Sequence, residues 1–149
     1  MKSNYLLFLV AGKIFGARLI GAIEILPWRK PRTVPLSYPY VDGLIDYRGR
    51  VYPVFNLVQR LGLTRPGPIG FAAETQVQDQ TSRSIILLEV NNTPFGIVVD
   101  AVVKMALMED PSGAMVTSAP VDPQFVKAVV QEDNQDVMIL DFERLFYAR

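Results

Sequence analysis

The sequence contains no cysteine and no histidine. Disulfides, thiolate zinc sites and cysteine nucleophiles are therefore excluded, and the side chain that most often moves protons near neutral pH is missing. The chain also lacks a charge bias: Lys+Arg and Asp+Glu both number 15. Nucleic-acid binding rests largely on an excess of positive charge, so neutrality counts against it and favours protein contacts. Long apolar spans are absent too. The opening "MKSNYLLFLVAGK" has the lysine and apolar run of a signal peptide, but the run stops at Lys13 and no A-x-A-like site follows. Lys13, Arg18 and Glu24 interrupt the wider apolar region, so no membrane span is expected and a cytoplasmic protein is.

What is present is apolar and short. Half of the 149 residues are hydrophobic, enough for one packed domain. The apolar stretches are rich in Val, Ile, Leu and Phe and are broken by Gly, Pro and Asn. Strands are predicted at Tyr5–Ala11, Ile14–Ile20, Ala22–Leu26, Gly43–Asp46 and Val51–Phe55, and again at Ser84–Val90, Phe95–Val99, Val102–Met108, Ala128–Gln131 and Val137–Leu140. The close spacing predicts an all-β fold. Asn91-Asn92 reads as a hairpin turn.

The two sets of strands are related. Phe15-Gly16 recurs 80 positions on as Phe95-Gly96, and the same offset carries Val10 to Val90, Ile23 to Val103 and Ile25 to Met105. Further along, an offset of 85 carries Tyr40-Val41 to Phe125-Val126, Val54 to Ile139 and Asn56 to Asp141. The last pair are helix caps. Asn56 precedes Leu57–Leu61 and Gly62 follows it, while Asp141 precedes Phe142–Phe146. Each half thus reads as five strands and a short helix, too small to bury much alone. The expectation is two small five-stranded barrels, roughly 1–63 and 85–149, with elements open to exchange between them. A polar linker, 64–84, joins them, and Phe71 is its one large apolar residue.

Three groups of residues could carry chemistry. Asp42, Asp46, Asp100 and Asp141 could form a carboxylate cluster for acid–base work or a metal, but each also suits a turn or a cap. Trp28, Arg29, Lys30 and Arg32 form the best patch for nucleic acid. The third group is the hairpin "IDYRGRVYPVF", where Gly49 supplies the turn and Arg48 is not needed for it. Arg48 maps onto Asp133 in the second repeat, so the tip is free to specialise. Glu24, in "AIEIL", alternates away from Ile23 and Ile25 onto the exposed face. Together with Arg48 it would make a docking pair.

The segments "YLLFLVAGKIFGARL", "IEILPWRKPRTVP", "YVDGLIDYRGRVYPVFNL", "FGIVVDAVVKM" and "VMILDFERLF" resemble, in order, those of the CheW coupling proteins of bacterial chemotaxis. The resemblance implies two interleaved five-stranded SH3-like barrels. It also implies a non-catalytic adaptor, without cofactor or metal, between the cytoplasmic tip of a methyl-accepting chemoreceptor and the regulatory domain of the histidine kinase CheA. Flagellar chemotaxis or a related pathway such as pilus motility would be its output. By the same resemblance, positions Ala22, Glu24 and Gly43 belong to the kinase-docking surface, and Arg48 is the coupling arginine. Leu19, Phe95 and Ile97 are candidates for an apolar receptor groove between the barrels. The sequence departs from the family's habit in having Asp46-Tyr47 before Arg48-Gly49, a small residue at Ala22, and Ala128 where glycine is frequent.

Overall fold

The computed structural model describes residues 1–19, 23–35, 37–63, 82–110 and 121–147. The first repeat contains β1 (Lys2–Val10), β2 (Lys13–Arg18), β3 (Glu24–Pro27), β4 (Val41–Tyr47), β5 (Arg50–Asn56) and α1 (Leu57–Leu61). The second contains β6 (Ser84–Val90), β7 (Thr93–Val99), β8 (Ala101–Glu109), β9 (Val126–Glu132), β10 (Gln135–Leu140) and α2 (Phe142–Tyr147), with a 3-10 turn at Pro123–Phe125. Each of the ten expected strands has its counterpart. Positions 64–81, including Phe71, lie outside the described residues.

The chain halves are not the barrels. One five-stranded sheet runs β8-β1-β2-β10-β9 and the other β3-β6-β7-β5-β4, so each takes strands from both repeats. A division at 1–63 and 85–149 therefore does not separate the sheets. Four pairings make the exchange: antiparallel β1 with β8 and β3 with β6, and parallel β10 with β2 and β7 with β5, the parallel ones setting Gly16 opposite Ile139 and Gly96 opposite Val54. The two parallel pairings are the same contact under the two offsets. The antiparallel pairs repeat likewise: Leu7 faces Gly16 as Leu87 faces Gly96, and Val130 faces Val137 as Ile45 faces Tyr52.

Strand alternation divides the side chains between three cores. Tyr5, Leu7, Ala106, Val137 and Ile139 fill one barrel, and Ile85, Leu87, Ile45, Tyr52 and Val54 fill the other. The intervening positions Leu6, Phe8, Phe15, Phe55, Leu88, Phe95 and Ile97 face a larger core shared by both sheets. The helices close it with Leu57, Leu61, Leu145 and Phe146. Burial of a Leu, Ile or Phe side chain contributes about 1.5–3 kcal/mol, so the shared core is what joins the two halves into one unit.

Among the described residues, four two-residue turns have positive φ at both positions: Ala11-Gly12, Arg48-Gly49, Asn91-Asn92 and Asp133-Asn134. That geometry belongs to the type I′ hairpin, whose twist matches the strands it joins. Both caps form: Asn56 Oδ1 accepts from Gln59 N–H at 3.2 Å, and Asp141 Oδ1 from Arg144 N–H at 3.2 Å. Gly62 takes the left-handed conformation that ends α1.

Candidate functional site: the Arg48 hairpin tip

The β4–β5 hairpin places Arg48 at the first turn position with φ of 50°. Left-handed backbone is costly for a residue with a Cβ, and the usual occupants here are Asn, Asp or Gly. Ala11 has the same conformation but is buried, and in Arg48 it is combined with an exposed cation, which makes this tip the site candidate. The Arg48 side chain is 75% exposed, and Nη1 lies 3.7 Å from Glu24 Oε1 on the neighbouring edge strand β3. Tyr47 completes the group: its hydroxyl is 3.5 Å from Glu24 Oε2, and the Arg48 guanidinium lies over its ring at 5.2 Å. An exposed pair of this kind contributes at most about 1 kcal/mol. It presents the guanidinium more than it stabilises the fold.

Arg50, the tip's other arginine, is held by Glu89 and lies 5.8 Å from the Tyr52 ring. Gly43 has a structural task. Its φ is +148°, and a Cβ there would stand 2.1 Å from the Arg32 carbonyl oxygen. Arg32 and Leu44 exchange backbone hydrogen bonds of 2.8 and 2.9 Å, so the β3–β4 connection crosses β4 directly over Gly43. Ala22 lies outside the described residues.

The groove candidates differ in burial. Ile97 has no exposed surface and Phe95 is 6% exposed, the latter stacked on Phe146 with centroids 4.0 Å apart. Both belong to the shared core, because β7 is a central strand of its sheet. Leu19 packs against the same core while remaining partly exposed.

The four carboxylates do not converge. Asp46 is bridged by Arg32 at 2.9 Å, and Asp100 is bound by Arg83 at 3.2 Å and by the Ala11 N–H at 2.8 Å. Asp141 caps α2, and Asp42 receives the Asn56 amide at 3.4 Å. A recess of about 410 Å³ reaches Asp42 but not Asp46, Asp100 or Asp141. The basic patch is likewise engaged: Arg32 binds the Asp46 carboxylate, Arg29 donates to its backbone carbonyl, and Trp28 packs on the second barrel's core.

Two features escaped the sequence reading. Tyr47 joins the Glu24–Arg48 group, and the equivalent place on the other barrel holds Lys104 bound to Asp133, with Glu132 at 3.7 Å. The offset of 80 sets Lys104 on Glu24, a signal that becomes meaningful only once the strand register is known.

The sequence is 28% identical over 141 residues to the chemotaxis protein CheW of Bacillus subtilis (strain 168), covering 91% of this chain and 81% of that one. It is 22% identical over 144 residues to the chemotaxis protein CheW of Treponema pallidum (strain Nichols), covering 95% and 81%. The scaffolding protein TtCheW from Thermoanaerobacter tengcongensis superposes with a TM-score of 0.81 at 21% identity, over all of this chain and 90% of that one, which establishes the shared fold. The family model described as "CheW-like domain" matches residues 4–149, so this chain belongs to the CheW-like family.

Proposed function

We propose that this protein is a non-catalytic chemotaxis scaffold, working in the cytoplasm. It joins the tip of a methyl-accepting chemoreceptor to the regulatory domain of the kinase CheA. The single observation that carries the assignment of the site is the strained, exposed Arg48 beside Glu24 and Tyr47. A guanidinium offers planar, directional donors to a carboxylate or to backbone carbonyls, which lysine does not reproduce. Glu24 and Tyr47 hold it at the edge of the second barrel without covering it, and Gly43 holds the hairpin at its angle. Signal passes by contact, and no step of bond making is needed.

The test is Arg48→Ala in a reconstituted receptor–kinase assembly, beside a thermal melt. The mutant's folding will change by no more than about 0.5 kcal/mol, as for most exposed substitutions. Kinase activity will no longer follow the receptor, or assembly will weaken. A mutant that melts and couples like the parent would remove Arg48 from the site.

A further inference from the structure

Arg60, on α1, occupies a point where the two repeats meet. Its guanidinium lies over the Tyr40 ring at 4.3 Å and over the Phe125 ring at 4.6 Å. These rings are repeat equivalents: Asn56 N–H donates to the Tyr40 carbonyl at 2.7 Å, and Asp141 N–H to the Phe125 carbonyl at 2.9 Å. Tyr40 leads into β4 of one sheet and Phe125 into β9 of the other. Arg60 also donates from Nε to the Leu145 carbonyl at 2.8 Å and from Nη2 to the Arg144 carbonyl at 3.4 Å. Those carbonyls end α2, where backbone acceptors lack partners within the helix and the dipole favours a cation. Leu145 is Arg60's own repeat mate, so one residue of the pair fills the shared core and the other spans it.

We propose that Arg60 is the positioning residue that fixes the angle between the two barrels, and through it the direction in which the Arg48 tip is presented. The proposal rests on the scaffold reading given above. The shared core is apolar and close-packed, so its shape already favours one placement, but each of its contacts is non-directional. Arg60 adds two aromatic faces and two carbonyls, one of those rings and both carbonyls belonging to the other barrel. These directional contacts converge on one planar group and narrow the relative placements the core leaves open. Lysine keeps the charge but lacks the plane, and methionine keeps the length but neither.

The experiment uses the absence of native cysteine. Val51→Cys and Asp136→Cys are exposed, repeat-equivalent positions on the two sheets, and spin labels attached there report the inter-barrel distance. In the otherwise unaltered chain one narrow distance is expected. Arg60→Met will broaden it or add a second distance while far-UV circular dichroism stays that of a folded protein. Arg60→Lys will restore part of the narrow peak. A distribution in folded Arg60→Met as narrow and as centred as the parent's would overturn the proposal. If Arg60→Met does not fold, Arg60→Gln, which loses the charge and the guanidinium plane without touching the core, is read by the same criterion. The distance is measured on the isolated protein, so its outcome is independent of whether Arg48→Ala uncouples receptor from kinase.

Discussion

The β4–β5 and β9–β10 tips share one backbone and carry opposite charges. Arg48-Gly49 and Asp133-Asn134 are both left-handed pairs, with φ of 50° and 77° in one and 52° and 60° in the other. Beside each runs an edge strand in the same register: Glu24 lies opposite Leu87, and Lys104 opposite Leu7. Yet the cation is on the turn and the anion on the edge strand in one barrel, and the reverse holds in the other. The lesson is that the duplicated fold fixes where a charge is displayed, while its sign is set by residues that contribute little to folding. A scaffold can thus change what it presents at one end without disturbing the other.

The two barrels differ most at Gly43. Its repeat mate is Ala128, so the first barrel accepts a Cβ where the second has no room. Gly43→Ala forces a methyl against the Arg32 carbonyl and meets unfavourable φ as well. The expected cost is about 3 kcal/mol, a fall in Tm of roughly 5–10 °C. Ala128→Gly will cost under about 1 kcal/mol, the ordinary entropic penalty of glycine in a strand. Thermal or urea melts of the two mutants decide it. Equal, small losses would show that the crossing over Gly43 relaxes freely.

A second difference lies at the far end of the first barrel. There the Tyr5 hydroxyl and the Ser3 hydroxyl each donate to Asp110 at 2.9 Å, with Arg18 3.8 Å away, whereas the repeat mate of Tyr5 is the apolar Ile85. Burial, then the hydrogen bond to Asp110, pushes the Tyr5 pKa up to about 12. The hydrogen bonds from Ser3 and Tyr5 hold Asp110 below the usual carboxylate value. A raised pKa stabilises below the unfolded value, so the Tyr5 contribution is complete below about pH 10 and is lost as pH rises towards 12. A lowered one stabilises above the unfolded value, so the Asp110 contribution is lost as pH falls below about 4. Tyr5→Phe will cost about 1.5–2 kcal/mol at neutral pH and flatten both limbs of the stability profile. Melts across pH that leave the alkaline limb as steep as the parent's would remove Tyr5 as its source.

Much of this asymmetry was legible in the sequence, and the part that was not has a common cause. Strands, turns and caps are local: Asn91-Asn92, Gly62 and the Asn56 cap announce themselves by residue type. The repeat placed Arg48 on Asp133, and alternation put Glu24 on an exposed face where it could meet Arg48. The exchange of strands followed only from family resemblance, because the pairings β1–β8, β3–β6, β2–β10 and β5–β7 join segments far apart and leave no local mark. The burial of the groove candidates was hidden for a related reason. Alternation shows that Phe95 and Ile97 share an apolar face, but not whether that face meets a partner or, as here, the other sheet. Arg60 was invisible because an arginine on a short amphipathic helix looks solvated until the opposing helix end is in place.

The smallest effect tests the strain at the tip itself. Asparagine tolerates left-handed backbone and arginine resists it, so Arg48→Asn relieves about 0.5–1 kcal/mol. It also removes the exposed pair with Glu24, whose contribution is no larger than that. The net change will lie between zero and about 1 kcal/mol of stabilisation, at most a few degrees in Tm. Asp133→Asn is the control. It removes the equivalent pair with Lys104, but aspartate already accepts this conformation, so nothing offsets the loss and the mutant will be slightly less stable than the parent. Melts of the two variants at low and high salt separate the contributions, since salt screens the ion pairs and leaves the backbone strain unchanged. At high salt Arg48→Asn will be the more stable of the two. Identical shifts in both variants would mean that Arg48 sits in its turn without strain, and the structural mark that singles it out from Asp133 would be gone.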